Sequence, residues 1–125
     1  MRRQPKYNFF KNTSYALKGL ADIIKNETSF KIELTLLIPV VLVILYWDID
    51  VEQKILLFVS YFFILIAETI NSAIERVVDL VTLDHHEMAG RAKDVGSAIV
   101  FLSIAQAIVV WLFIFLTTIT ITWPL

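Results

Sequence analysis

The sequence predicts an all-α integral membrane protein, with an N-terminal amphipathic surface helix followed by three transmembrane helices. Three observations carry that reading. Of 125 residues, 58% are hydrophobic and 18% charged, and the mean hydropathy is +0.72, a balance outside that of soluble domains. The charges leave residues 34–47, 55–67 and 95–125 free of them. Seven basic residues, Arg2, Arg3, Lys6, Lys11, Lys18, Lys25 and Lys31, precede the first of these runs. The net charge of −1 provides no field that would draw nucleic acid. The absence of cysteine removes disulfides, thiolate nucleophiles and zinc–thiolate sites. The chain, 1–125, reads as one domain.

The first element is expected over residues 7–25. This stretch has one glycine and no proline, and Phe10, Leu17, Leu20, Ala21 and Ile24 recur at helical spacing. Lys11, Lys18 and Lys25 recur every seven residues on another stripe, so the helix lies in the interface with its lysines toward lipid headgroups. Residues 26–33 are expected to connect it to the first span, about 31–49. That span is short for a bilayer core needing roughly 20 helical residues, and Pro39 within it removes one helical hydrogen bond. The second span, about 54–80, reaches membrane length only by taking Glu68 and Asn71 inside. The third, about 92–123, opens with the small residues Gly96, Ser97 and Ala98, which permit close helix approach, and carries Gln106 as a bridge between helices.

Orientation follows from the basic residues. The loop at 48–54 holds only Lys54, whereas Arg76, Arg91 and Lys93 follow the apolar run of the second span. The positive-inside rule therefore places the N-terminus in the cytoplasm, with Trp47 and Trp123 at the opposite interface. The N-terminal 31 residues lack the apolar core and small-residue cleavage site of a secretory signal.

The chemistry concentrates in the second span. Glu68, Asn71, Glu75 and Asp79 are separated by three, four and four residues, which sets them along one helix face. An ionisable side chain within a membrane costs at least about 2.5–3.5 kcal/mol, so Glu68 marks a functional site more readily than a bridge between helices. Gly19, Gly90 and Gly96 do not compose a phosphate-cradling loop. His86-Glu87-Met88-Ala89-Gly90 begins like a zinc-protease helix, but glycine stands where the second histidine is needed. His85 and His86 diverge by about 100° on a helix and cannot share one ion. Carboxylates without thiols or converging histidines suit a hard cation, and Mg2+ is the ordinary one beside phosphate. Glu27 and Glu75 are the candidates near the cytoplasmic interface. Arg91 and Lys93, beside Gly90 at the same depth, serve either as positive-inside anchors or as phosphate-holding cations.

Taken with Tyr15-x-x-Lys18-Gly19-Leu20, Asn26-Glu27-x-x-Phe30-x-x-Glu33 and Ala92-Lys93-Asp94, the motif Glu68-x-x-Asn71-Ser72-Ala73-Ile74-Glu75-x-Val77-Val78-Asp79 resembles the prokaryotic diacylglycerol kinase family. These are small three-span membrane enzymes unrelated to soluble kinases. The resemblance covers nearly the whole chain and implies ATP-dependent phosphorylation of a lipid hydroxyl. Glu68 would be the general base with Asn71 beside it, and Glu27 and Glu75 would hold the Mg2+ of ATP. Nucleotide contacts are implied from Tyr15, Asp84, His85, His86, Lys93 and Asp94, and lipid-substrate contacts from Thr13, Glu68, Ser97 and Trp111. A homotrimer with sites shared between subunits, in the bacterial inner membrane, is implied as well. Residues 88–98 look more like the diacylglycerol branch than the undecaprenol kinases, which makes diacylglycerol the expected substrate and undecaprenol the alternative. One departure is Asn8, where relatives of that branch often carry an arginine. A non-enzymatic reading has Glu68, Asn71 and Glu75 lining an ion or proton path in a small oligomeric channel, but it gives Glu27, Lys93 and Asp94 no reason to share one depth. A structural assembly subunit is a third reading, and it predicts tolerance of Glu68→Gln.

Overall fold

The computed structural model describes residues 5–122, so Arg2, Arg3 and Trp123, to which orientation and interface roles attach, lie outside the described residues. Four helices follow in order: α1 (Phe9–Asn26), α2 (Thr28–Tyr46), α3 (Val51–Val81) and α4 (Glu87–Thr122). The last three are long and apolar enough to cross a membrane. At 1.5 Å per residue the 19 residues of α2 span about 28 Å, close to the hydrocarbon thickness. The 31 residues of α3 and 36 of α4 span about 46 and 54 Å, so these two helices project beyond it.

Each helix boundary has a local cause. Asn8 stands in extended backbone ahead of α1, and its side-chain oxygen accepts the Lys11 backbone N–H at 3.1 Å. Capping of this kind satisfies one of the orphan donors of the first turn, which gives Asn8 a structural task here. The connector expected over 26–33 is a single residue, Glu27. Its N–H donates to the Ile23 carbonyl at 2.9 Å and its carbonyl accepts from Lys31 at 3.1 Å, closing one helix and opening the next. Residues 28–33 contain neither glycine nor proline, so nothing delays the start of α2. That helix continues unbroken through Pro39. At its far end Lys54 Nζ donates to the Leu45 carbonyl at 3.2 Å, placing a cation on the carbonyls that α2 leaves unpaired.

The spans pack antiparallel. Near the α1–α2 corner, Ile23, Phe30 and Leu65 are buried together with Leu34 and Leu37 against them. At the other end Ile44, Leu57 and Ile114 form a second cluster under Trp47 and Trp111. Tyr61 Oη donates to the Glu33 carbonyl at 2.6 Å, tying α3 to α2. Gln106 Nε2 donates to the Ser60 carbonyl at 2.7 Å, so it bridges α4 to α3 as its place in an apolar run implied. Outside these clusters the buried residues of α3 and α4 are Ile64 and the small or polar Ser60, Ala67, Glu68, Ser72, Gly96, Ser103 and Ala107. Small residues let helix backbones approach in an apolar solvent. Phe101, Phe113 and Leu112 point outward, the orientation that lipid favours and water does not.

Candidate active site

The stripe on α3 is graded by depth. Glu68 is 9% exposed, Asn71 and Glu75 are half-buried, and Asp79 is open to solvent. Asn71 Nδ2 donates to Glu75 Oε1 at 3.0 Å, one turn along the face the spacing predicted. The Asn71 amide oxygen is buried and has no donor among the described residues. It lies where a Cβ on residue 96 would be, so glycine at that position is what lets α4 pass over the amide. Ser97 and Ala98, the neighbours of Gly96, face outward.

A second carboxyl that the sequence reading left without a role stands against Glu68. The Glu33 and Glu68 side chains neighbour each other, and Glu33 Oε2 is buried with no hydrogen-bond partner among the described residues. Glu27 and Glu75 lie within Coulombic reach of the same group. Four carboxyls from α2, α3 and the corner between α1 and α2 therefore lie toward the same end of the bundle, too far apart to close around one ion.

Two ion-paired clusters flank them. Arg76 Nη2 and Nε donate to Glu27 Oε1 at 2.8 and 3.2 Å, and its Nη1 bonds Asp22. The guanidinium, and the Asn26 amide after it, hold the Asp22 carboxyl below the usual carboxylate range. Across the α3–α4 turn, Lys93 Nζ donates to Asp79 Oδ1 at 2.6 Å. Asp79, Asp84, His85, His86 and Lys93 all line one open cleft of about 320 Å³. His86 also has a local task, because its Nδ1 accepts the Met88 backbone N–H at 3.2 Å as α4 begins. Asp84 is fixed through its own N–H, which donates to Thr82 Oγ1 at 3.1 Å.

The remaining predicted residues stand apart within one chain. Tyr15 is exposed on α1 with Lys18 Nζ 5.9 Å from its ring centre. Thr13, also exposed on α1, donates back to the Phe9 carbonyl at 2.9 Å. Asp94 and Ser97 are exposed on α4. Trp111 lies about 20 Å further along α4 than Ser97, its ring 6.5 Å from that of Trp47.

The donor set can be weighed against Mg2+. Among the described residues no three His, Asp or Glu side chains converge as a closed cage. Mg2+ beside phosphate takes only one or two protein carboxylates, the rest of its shell being water and substrate oxygen. Glu75 and Glu27 each keep one oxygen out of the bonds above, and the partnerless Asn71 oxygen adds a neutral donor next to Glu75. The residues present fit a cation that arrives with its nucleotide.

A family model described as "Prokaryotic diacylglycerol kinase" matches residues 14–115, which hold the corner, the stripe and the α3–α4 turn. The chain belongs to the prokaryotic diacylglycerol kinase family. Every predicted site residue except Thr13 falls inside the segment that matches the prokaryotic diacylglycerol kinase family. A diacylglycerol kinase of Escherichia coli (strain K12) is 39% identical over 101 residues, covering 81% of this chain and 83% of the relative. One from Haemophilus influenzae is 40% identical over 103 residues, 80% of this chain and 85% of the relative. An undecaprenol kinase of Bacillus subtilis is 27% identical over 108 residues, 86% and 88% of the two chains.

Proposed function

We propose that this chain transfers the γ-phosphoryl group of ATP to the hydroxyl of diacylglycerol, yielding phosphatidic acid and ADP at the cytoplasmic face of the bacterial inner membrane. The observation that carries the reading is the grading of α3: a buried carboxyl at Glu68, then the Asn71–Glu75 pair, then Asp79 and Lys93 at an open cleft. Glu68 lies about 10 Å deeper along the helix than Glu75. That separation suits a lipid hydroxyl held at the hydrocarbon boundary while the nucleotide stays in the aqueous layer.

Phosphoryl transfer asks for positioning and charge neutralisation more than for covalent chemistry. Glu68 takes the proton of the lipid hydroxyl as that oxygen bonds to the γ-phosphorus. The bond from the γ-phosphorus to the β–γ bridging oxygen breaks, and ADP leaves with the electron pair. Glu27 and Glu75 would hold Mg2+, which when bound neutralises phosphate charge. Lys93 supplies a further cation, and Asn71 fixes the Glu75 carboxylate. Asp84, His85 and His86 line the nucleotide cleft, with Tyr15 and Asp94 closing on it in a homotrimer whose sites are shared between subunits. The exposed face of α1 supports that assembly, because among the described residues Thr13 and Tyr15 bond only within their own helix. Thr13, Ser97 and Trp111 contact the lipid. Diacylglycerol is favoured over undecaprenol because relatives near 40% identity carry the first activity in their names and the undecaprenol kinase stands at 27%.

Purified protein in mixed micelles, offered diacylglycerol and undecaprenol separately with ATP, tests the reading. Transfer to diacylglycerol is expected, falling about 10²- to 10⁴-fold in Glu68→Gln with nucleotide binding retained. Transfer to undecaprenol alone would overturn the substrate, and ion flux in vesicles without transfer to either lipid would overturn the reaction class.

A further inference from the structure

Arg76 follows Glu75 by one residue, so it leaves α3 about 100° away from the stripe, toward the α1–α2 corner. Its guanidinium reaches both sides of that corner, bonding Asp22 of α1 through Nη1 and Glu27 through Nε and Nη2. Asp22 is braced in turn, its Oδ1 accepting the Asn26 amide at 2.6 Å. Glu27 makes no side-chain cap bond to the helix it opens, so among the described residues Arg76 alone holds its carboxylate. Both bonds fall on Oε1, leaving Oε2 for a cation. Apart from this network, the one buried side chain of α1 is Ile23.

We propose that Arg76 is a positioning residue that sets the α1–α2 corner and aims the Glu27 carboxylate at the metal–nucleotide by bonding Asp22 and Glu27 at once. The inference rests on the reading of Glu27 and Glu75 as the Mg2+ carboxylates. An isolated exposed ion pair contributes little. A guanidinium spread over two carboxylates differs, because its planar fork fixes direction as well as charge. Two effects then oppose each other. A cation next to a metal ligand repels the metal, but the Arg76 side chain is 45% exposed and water and salt screen that repulsion. Loss of a partner that orients a ligating carboxylate typically costs about 10- to 100-fold in metal affinity. Orientation therefore outweighs repulsion here.

The test uses the full chain in mixed micelles with Mn2+ and ADP as the probe, read by electron paramagnetic resonance. The chain has no cysteine, so Lys11→Cys gives a single nitroxide on α1 for a second readout. Arg76→Met should weaken Mn2+–ADP binding about tenfold or more and raise the mobility of the label. Arg76→Lys, which keeps the charge and loses the fork, should recover only part of each. Binding in Arg76→Met equal to or tighter than the wild type would overturn the proposal, since Arg76 would then only repel the metal. Unchanged label mobility would overturn the clamp on the corner. Should Glu75→Gln leave Mn2+–ADP binding intact, the metal assignment itself fails, and the label alone decides whether Arg76 sets the corner.

Discussion

Replacing Gly96 by alanine puts a methyl carbon where the Asn71 amide oxygen lies, well inside van der Waals contact. α4 cannot retreat without opening the interface that Gln106 and Lys93 hold on either side. The amide must turn instead, and turning it gives up the 3.0 Å bond to Glu75. A hydrogen bond to a charged group is worth about 1.5–3 kcal/mol and overpacking costs a further 1–3 kcal/mol, part of which the turn relieves. A net loss of about 2–3 kcal/mol at the site corresponds to a rate lowered about 30- to 150-fold. Gly19→Ala is the control, because a Cβ there meets nothing within 4 Å, and replacing a helical glycine gains up to about 1 kcal/mol. The assay is the initial rate of ATP-dependent phosphate transfer to diacylglycerol in mixed micelles, with helix content checked by circular dichroism. Gly96→Ala combined with Asn71→Ala should be no slower than Asn71→Ala alone, because the two act through one amide. A wild-type rate in Gly96→Ala, or full additivity in the pair, would refute the reasoning.

The two interhelical contacts invoked there behave differently when removed. If Lys93 holds phosphate as proposed, Lys93→Met deletes a charge-assisted contact worth about 1.5–3 kcal/mol, so KM for ATP should rise roughly 10- to 150-fold in steady-state kinetics. Asp79→Asn, whose pair with Lys93 is nearly half exposed on both sides, should shift unfolding stability by less than about 1 kcal/mol. Gln106→Leu loses one bond across α3 and α4, about 0.6–1.7 kcal/mol by the behaviour of such bonds in membranes, read as denaturant unfolding with the transfer rate retained.

The membrane architecture was legible because its cause is local and cumulative: each span is a run from which charge is missing, and no distant partner is needed to see it. The stripe of Glu68, Asn71 and Glu75 was legible for a related reason, since helical periodicity alone puts them together, and the Asn71–Glu75 bond follows. Asp22, Glu27 and Arg76 were not assembled from the sequence because 49 and 54 residues separate the guanidinium from its partners. Glu33 was passed over because it reads as the last charge before an apolar run, whereas the packing of α2 on α3 turns it against Glu68. The width of the connector was misjudged because polar residues there resemble a loop, although none carries the glycine or proline that would stop a helix. His86 as a cap escaped notice because serine, threonine, aspartate and asparagine are the residues that announce one.

The single-residue corner at Glu27 has a consequence for length variation in this chain. Adding or deleting one residue there would roll α1 by about 100° about its axis while leaving α2 in the bilayer unmoved. Asp22 would swing away from Arg76 and Ile23 out of its apolar contact together, so no compensating side-chain change at one site could restore both. Insertions for tags, reporters or fused domains are therefore excluded between 26 and 28.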